Sequence, residues 1–166
     1  MRGDTAERGN AMRKLSLILL GLLICMPMLA QKGTYTVNHE TSLSASAEVI
    51  TLRLAAAATG VAQPQFVSIY SSADVEITIE RDGTYVSGTA LTVNKSSTGD
   101  ATASALVTYG TTITSTTVIQ KHEVTSGSTL VVSLDMIAVK ADESLTIRTE
   151  SATATKLLVN LCHREY

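Results

Sequence analysis

The sequence predicts an all-β protein in which residues 31–166 form a single β-sandwich after an N-terminal signal or anchor segment at residues 1–30. We expect a jelly-roll-like sandwich, with an immunoglobulin-like sandwich as the alternative. Three observations support this prediction. The chain of 166 residues is rich in threonine and serine, apolar and polar residues alternate along short segments, and turn residues separate those segments.

The leader prediction rests on the apolar run at residues 15–29, which follows Arg13-Lys14 and ends before Ala30. A basic flank, a short apolar core and a small residue at its end are typical of a secretory signal peptide. The run is shorter than the roughly 20 residues that span a bilayer as a helix. We therefore expect translation from Met12, cleavage after Ala30 and a secreted, cell-surface or periplasmic protein.

Two alternatives remain open for this leader. The segment could stay uncleaved and anchor the protein in a membrane, which would then be its only membrane contact. Cys25 could also carry a lipid, although a lipoprotein signal has a small residue before its cysteine and Ile24 is bulky.

Nine strands are predicted after the leader. The clearest lies at residues 75–80, where Val75, Ile77 and Ile79 alternate with polar residues. Asp82-Gly83 follows, and this pair supplies the positive φ angles of a tight hairpin, so we expect pairing with residues 88–94. The other strands are expected at residues 48–54, 66–71, 103–109, 116–123, 130–135, 144–150 and 156–162.

Turn residues predict turns at residues 96–100, 126–127 and 140–143, and an alanine run predicts one helical turn at residues 55–58. Residues 107–117, rich in threonine and serine, are expected to form an exposed loop or edge strand, or alternatively a ligand-contacting tip. The core should be aliphatic, with Phe66 and a few tyrosines as its large rings.

The strand at residues 156–162 has one wholly aliphatic face. Leu157, Val159 and Leu161 share it and should point into the core. The other face is interrupted by Asn160, so Cys162 should point outward. With Cys25 removed, the mature chain would have one cysteine and no internal disulfide.

The charge balance excludes one class of partner. The chain has 13 basic and 15 acidic residues, and without the four basic and two acidic residues of the leader the net charge is −4. Nucleic-acid binding needs a basic patch, and the sequence has none, so no nucleic-acid partner is expected.

Few residues are suited to catalysis or metal binding. His39, His122 and His163 are scattered, and on a strand the neighbours Glu40 and Glu123 point away from His39 and His122. This spacing offers no zinc pattern. The sequence therefore predicts no enzyme activity, no catalytic residue, no metal and no cofactor.

Four carboxylates bracket the strand at residues 75–80. Asp74, Glu76, Glu80 and Asp82 could in principle bind calcium or cleave a glycoside, which takes two opposed carboxylates. No calcium-loop pattern accompanies them, and the chain has no tryptophan on which a sugar could stack. We expect exposed carboxylates on the polar face of a strand.

Four segments within residues 66–94 and 118–159 carry a resemblance. They read Ile-Thr-Ile-Glu-Arg-Asp-Gly at 77–83, Gly-Thr-Ala-Leu-Thr-Val at 88–93, Ser-Gly-Ser-Thr-Leu-Val-Val-Ser-Leu at 126–134 and Glu-Ser-Leu-Thr-Ile-Arg-Thr at 143–149. This series resembles small β-sandwich proteins of tailed-phage virions, which serve as accessory, decoration or fibre-associated subunits. The resemblance implies a structural role and brings no catalytic or binding residues. Virion subunits assemble in the cytoplasm, so the leader departs from this pattern.

Two functions remain. The first is a non-enzymatic structural subunit of a virion or surface assembly, whose partners are copies of itself or other structural subunits. The second is a secreted binding module for a glycan or another surface ligand. Two tyrosines exposed side by side would favour sugar binding, whereas dispersed tyrosines would favour the structural subunit. The tyrosines are Tyr35, Tyr70, Tyr85, Tyr109 and Tyr166.

Overall fold

The computed structural model describes residues 31–114 and 116–166, so the predicted leader lies outside the described residues. In that part of the chain all strand pairs are antiparallel and no helix occurs, which confirms the all-β prediction. It also contains no helix that is long and apolar enough to cross a membrane.

Eleven strands are present in the described residues. They are β1 (Gly33–Leu43), β2 (Ala47–Ala55), β3 (Ala62–Ser71), β4 (Val75–Arg81), β5 (Thr84–Ala90), β6 (Asn94–Lys95), β7 (Leu106–Thr114), β8 (Thr117–Val124), β9 (Thr129–Ser133), β10 (Ser144–Ser151) and β11 (Thr155–Glu165).

The strands form two sheets, a five-stranded sheet in the order β6-β1-β11-β3-β9 and a six-stranded sheet in the order β5-β7-β2-β10-β4-β8. Without β5, β6 and β7, the orders β1-β11-β3-β9 and β2-β10-β4-β8 remain. Each sheet then alternates strands from early and late in the chain, as in the eight-stranded jelly roll with its two Greek keys. This order confirms a jelly-roll-like β-sandwich.

Alternation along the strands builds the core between the sheets. In β11, Leu157, Val159 and Leu161 are buried as predicted, and Leu158 is exposed between them. The same alternation places aliphatic side chains of the six-stranded sheet opposite. The fully buried members of this core include Leu52, Leu54, Ile69, Ile77, Ile79, Leu145 and Ile147.

The predicted hairpin between residues 75–80 and 88–94 is wrong. Asp82 and Gly83 have positive φ angles of 59° and 111°, as the turn chemistry required. Both sides of β4 are, however, occupied by β10 and β8, and β5 pairs with β7 at the far edge of the sheet. A Cβ on Gly83 would lie 2.8 Å from the Thr114 carbonyl oxygen, so glycine allows the chain to pass close to the end of β7.

The segment between β4 and β8, which contains β5, β6 and β7, forms an excursion that reaches both sheets. Its strands β5 and β7 extend the six-stranded sheet beside β2, and its short strand β6 pairs with β1 of the five-stranded sheet. Leu91 and Val93 lie outside any strand, yet they are partly buried and pack against the core from this segment.

Several smaller predictions need correction. Residues 107–117 are mostly strand: β7 lies between β5 and β2 and is neither an exposed loop nor an edge strand. Residues 57–60 form a turn and no helical turn, closed by a hydrogen bond from the Gly60 N–H to the Ala57 carbonyl oxygen. Phe66 is 39% exposed and points away from the core. Strands β1 and β6 were not expected.

Candidate functional site

The sandwich has two outer faces, and the candidate functional site is the outer side of the five-stranded sheet. We call it the five-strand face and define it by the outward side chains of β1, β11, β3 and β9. The strand register aligns these side chains in rows. The rows are Thr36–Cys162–Phe66–Ser133, Asn38–Asn160–Ser68–Val131 and Glu40–Leu158–Tyr70–Thr129.

Apolar side chains are contiguous on the five-strand face. Leu158 is 42% exposed and stands directly opposite Tyr70 on the next strand. Val131 is 64% exposed and lies opposite Ser68, on the diagonal to Phe66 and Tyr70. Opposite and diagonal neighbours of a sheet face are within reach of one another. Three adjacent strands therefore expose one apolar patch of the kind that marks contact surfaces.

A shallow depression of about 510 Å³ runs over the same face. Its lining includes Ser68, Tyr70, Leu158 and Asn160. Glu40 also lines it, and Lys156 balances the charge of this carboxylate. The other polar groups of the lining alternate with apolar side chains, so the depression suits a neutral protein surface better than an ionic ligand.

An asparagine pair occupies the middle row of the five-strand face. Asn160 Nδ2 donates a hydrogen bond of 2.6 Å to Asn38 Oδ1. Asn160 Oδ1 is buried and has no hydrogen-bond donor among the described residues. A buried acceptor without a donor is unfavourable by roughly 1–3 kcal/mol, and Asn160 Oδ1 is too deeply buried for another molecule to reach it.

Cys162 points outward as predicted, in line with Thr36 and Phe66, yet it is only 8% exposed. Burial raises the pKa of its thiol, while the positive charge of Arg164 opposes that rise and Asp135 adds to it. A thiol with a raised pKa carries little thiolate and is a poor nucleophile. Cys162 is therefore a structural part of this face.

The outer side of the six-stranded sheet, the six-strand face, is charged. We define it by the outward side chains of β2, β10, β4 and β8 and of the flanking strands β5 and β7. Arg148 donates two hydrogen bonds of 3.0 Å, from Nε and Nη2, to the two carboxylate oxygens of Glu80. Lys121 Nζ lies 2.6 Å from Glu76 Oε1, and the Arg53 guanidinium lies 4.4 Å from the centre of the Tyr85 ring.

Apolar residues on the six-strand face are separated. Val86 and Leu106 lie on β5 and β7 at one edge, whereas Val118 and Ile119 lie on β8 at the other. The strands between them carry the charged side chains. Arg53 Nε and Thr146 Oγ1 are buried there without partners among the described residues. Charge therefore interrupts any apolar contact surface on this side of the molecule.

The four sequence-predicted carboxylates do not form one site. Glu80 is 5% exposed, against the expectation of an exposed side chain, because Arg148 lies over it. Asp74 and Glu76 line a separate cleft of about 380 Å³ together with Glu123 and Glu150. The described residues contain no group of three or more histidine, cysteine or carboxylate side chains that could hold a metal ion.

His39 and His122 point away from their glutamate neighbours, as predicted. His39 points inward, and its ring packs at a tilt of 34° against that of Tyr109, with 4.2 Å between ring centres. Burial lowers the pKa of His39. Its neighbour Glu40 points outward, with its Oε1 2.5 Å from Lys156 Nζ. His122 lies 3.2 Å from the Gln120 side-chain oxygen, on the opposite side of the strand from exposed Glu123.

A buried histidine–carboxylate pair was missed. His163 Nε2 lies 3.3 Å from Glu165 Oε1, and the two residues are 0% and 2% exposed. Glu165 also accepts hydrogen bonds from the Ser104 N–H at 2.7 Å, the Ser104 hydroxyl and the Ala105 N–H at 3.0 Å. The i, i+2 spacing that puts His163 and Glu165 on one side of a strand is visible in the sequence, but their partners lie some sixty residues away.

This pair ties the excursion to the five-stranded sheet. Burial lowers the pKa of His163 although Glu165 opposes that effect. Burial disfavours the Glu165 carboxylate, but the hydrogen bonds from Ser104 and Ala105 outweigh it and hold its pKa below the ordinary value. Tyr35 stacks on His163 and donates to the Ala101 carbonyl oxygen at 3.0 Å. The cluster is sealed from solvent, so it cannot receive a substrate.

The tyrosines are dispersed. Tyr35 is in the core, Tyr70 lies on the five-strand face, Tyr85 stacks with Arg53 and Tyr109 stacks with His39. Tyr166 donates a hydrogen bond of 3.2 Å to the Gln63 side chain. No ring contact among the described residues joins two tyrosines, so the arrangement favours the structural subunit over a sugar-stacking platform.

No protein-family model, curated protein or solved structure matches this chain.

Proposed function

We propose that this chain is a non-enzymatic structural subunit that assembles with other protein subunits through the five-strand face, in a virion or at a cell surface. The observation that supports the proposal most directly is the contiguous apolar patch of Leu158, Tyr70 and Val131 on that face. Leu158 and Val131 are exposed and Tyr70 between them is half-buried. Apolar side chains on three neighbouring strands favour a protein contact, because covering them removes apolar area from water.

The chemistry of the remaining groups is consistent with a structural role. His163 and Glu165 are buried, Glu80 is paired with Arg148, and burial raises the pKa of Cys162. Each of these groups is occupied in holding the fold. A jelly roll also presents two broad sheet faces at its surface, and repeated subunits can pack on such faces.

Cysteine labelling of the native assembly tests this function. Val131→Cys places a thiol on the five-strand face, and Val86→Cys places one on β5, at a position with the same exposure of 64%. Both thiols should react with an impermeant reagent in dilute purified protein. In material from the native source, Val131→Cys should be protected and Val86→Cys should still react.

The unsubstituted chain gives the background from Cys162, which is 8% exposed. Equal labelling of the two variants in the native material would reject a contact at the five-strand face and with it the proposed function.

A further inference from the structure

We propose that the partner of the five-strand face is a second copy of the same chain, packed face to face. This inference rests on the proposed function and adds the identity of the partner. Three observations support it: the charge of the face, its area and the polar side chains in its middle row.

The charges on the five-strand face cancel. Glu40 and Lys156 lie 2.5 Å apart at one end. At the other end, Arg164 and Asp135 act with opposite signs on Cys162. Residues 31–166 carry a net charge of −4, so two copies meeting through most other surfaces would bring like charges together. The five-strand face meets its own copy without that repulsion.

The five-strand face is large enough for a dimer interface. Four strands about 4.8 Å apart, with about 3.3 Å per residue along the strands, give a flat area of roughly 600 Å² per copy. Strands β1 and β11 have 11 residues each and β3 has 10, which sets the length of the face. A pair would bury about 1,200 Å², which is the lower end of specific interfaces.

The middle row offers matching polar groups. Asn38 and Ser68 stand beside Asn160 in the same row, and their side chains carry an amide N–H₂ and a hydroxyl. A two-fold axis places each such group of one copy against the other copy, so every hydrogen bond between the copies is formed twice. Exposed Asn38 and half-buried Ser68 can therefore form hydrogen bonds between the two copies.

Leu158→Arg tests the pairing, with Leu106→Arg as its matched control. The two leucines are 42% and 47% exposed, and each lies on an inner strand, one on each outer face. The mass of the full chain in solution is measured by light scattering and sedimentation over a range of concentrations, and circular dichroism checks the fold.

The unsubstituted chain should approach twice the mass of one chain as its concentration rises. Leu158→Arg should weaken this pairing at least tenfold, whereas Leu106→Arg should leave it unchanged. If Leu158→Arg does not fold, Val131→Arg and Val86→Arg form a second matched pair, each at a position that is 64% exposed.

A single-chain mass at all concentrations, or equal effects of the two leucine variants, would overturn the pairing. If the purified chain stays single while Val131→Cys is protected in the native assembly, the proposed function stands and a different subunit covers the face. If Val131→Cys is not protected and the purified chain stays single, both proposals fail.

Discussion

The five-strand face and the six-strand face cover opposite sides of one core, and they differ in charge and in continuity. The first places Leu158, Tyr70 and Val131 on adjacent strands around neutral amides and hydroxyls. The second separates its apolar residues by charged groups such as Arg148 and Glu80. Inward side chains hold the fold in both sheets. Outward side chains are free to differ, and we propose that the difference here separates a contact surface from a solvent-facing one.

The sharpest division lies within β11, between the core and the five-strand face. Leu161→Ala removes a fully buried side chain and should lower the free energy of unfolding by about 2–5 kcal/mol. Leu158→Ala, on the outside of the same strand, should lower it by less than about 1.5 kcal/mol in the single chain. Urea titration at low protein concentration measures both. Equal losses would mean that Leu158 serves folding and not contact.

Ion pairs should contribute differently on the two faces. Glu80→Gln leaves the partly buried Arg148 without its carboxylate and should lower the free energy of unfolding by about 2–3 kcal/mol. Glu40→Gln breaks the exposed pair with Lys156 and should have an effect below about 0.5 kcal/mol. Urea titrations of both variants give the comparison. A larger loss for Glu40→Gln would show that the outer charges of the five-strand face hold the fold.

Acid should loosen the five-stranded side first. The pKa of His163 is lowered in the folded protein from its ordinary value of 6.5. As the pH falls below about 6.5, the unfolded chain therefore binds more protons than the folded chain, and the free energy of unfolding decreases. The lowered pKa of Glu165 continues the same trend below about pH 4.5. Amide exchange at pH 7 and 5.5, corrected for intrinsic rates, should show residues 101–105 opening more than β8.

His163→Gln tests whether His163 causes the loss of stability in acid, because glutamine keeps a polar side chain that does not titrate. Its stability should change less than that of the unsubstituted chain between pH 7 and pH 5.5. An unchanged pH dependence would assign the acid response to another group that titrates in this range, such as His39, whose pKa burial also lowers.

Salt should have the smallest effect. Between about 0.05 and 1 M sodium chloride the Debye length falls several-fold, which screens exposed charges. The association constant for pairing through a neutral apolar face should therefore change less than about twofold, and sulfate should increase it. Sedimentation at each salt concentration measures the association constant. A strong loss of pairing in sodium chloride would point to contacts through the six-strand face.

The sequence was informative where the inward positions of a strand are aliphatic. The bounds of β4, β10 and β11 were predicted to within a few residues. On each of these strands aliphatic residues alternate with polar ones around a buried position, namely Ile77, Ile147 and Leu161. Strand β1 was missed because polar His39 and Thr41 occupy two of its inward positions, which weakens the pattern. Asp82-Gly83 predicted the turn correctly but not the strand partner, since distant segments decide which edge of β4 is free.

The candidate site was less predictable than the fold. Phe66, the single phenylalanine, was expected in the core, but the neighbouring Val67 and Ile69 occupy the inward positions and turn it outward. The patch around Leu158 depends on the order of β11, β3 and β9, and strand order is a non-local property. Alternation along each strand can be read from the sequence. Which residues are neighbours on adjacent strands is known only once the order of the strands in the sheet is known.

The position of β11 has a consequence for the folding of a newly made chain. Residues 155–165 lie between β1 and β3 and pair with both, although more than a hundred residues separate Gly33 from its partner Glu165. Until these residues leave the ribosome, neither β1 nor β3 has its neighbour, and a sheet edge stays open on each. The five-stranded sheet should thus be completed only after synthesis of β11, and long-range strand pairing of this kind is slow. During that delay the open edges are exposed to other nascent chains, so early folding is the stage at which aggregation competes most strongly.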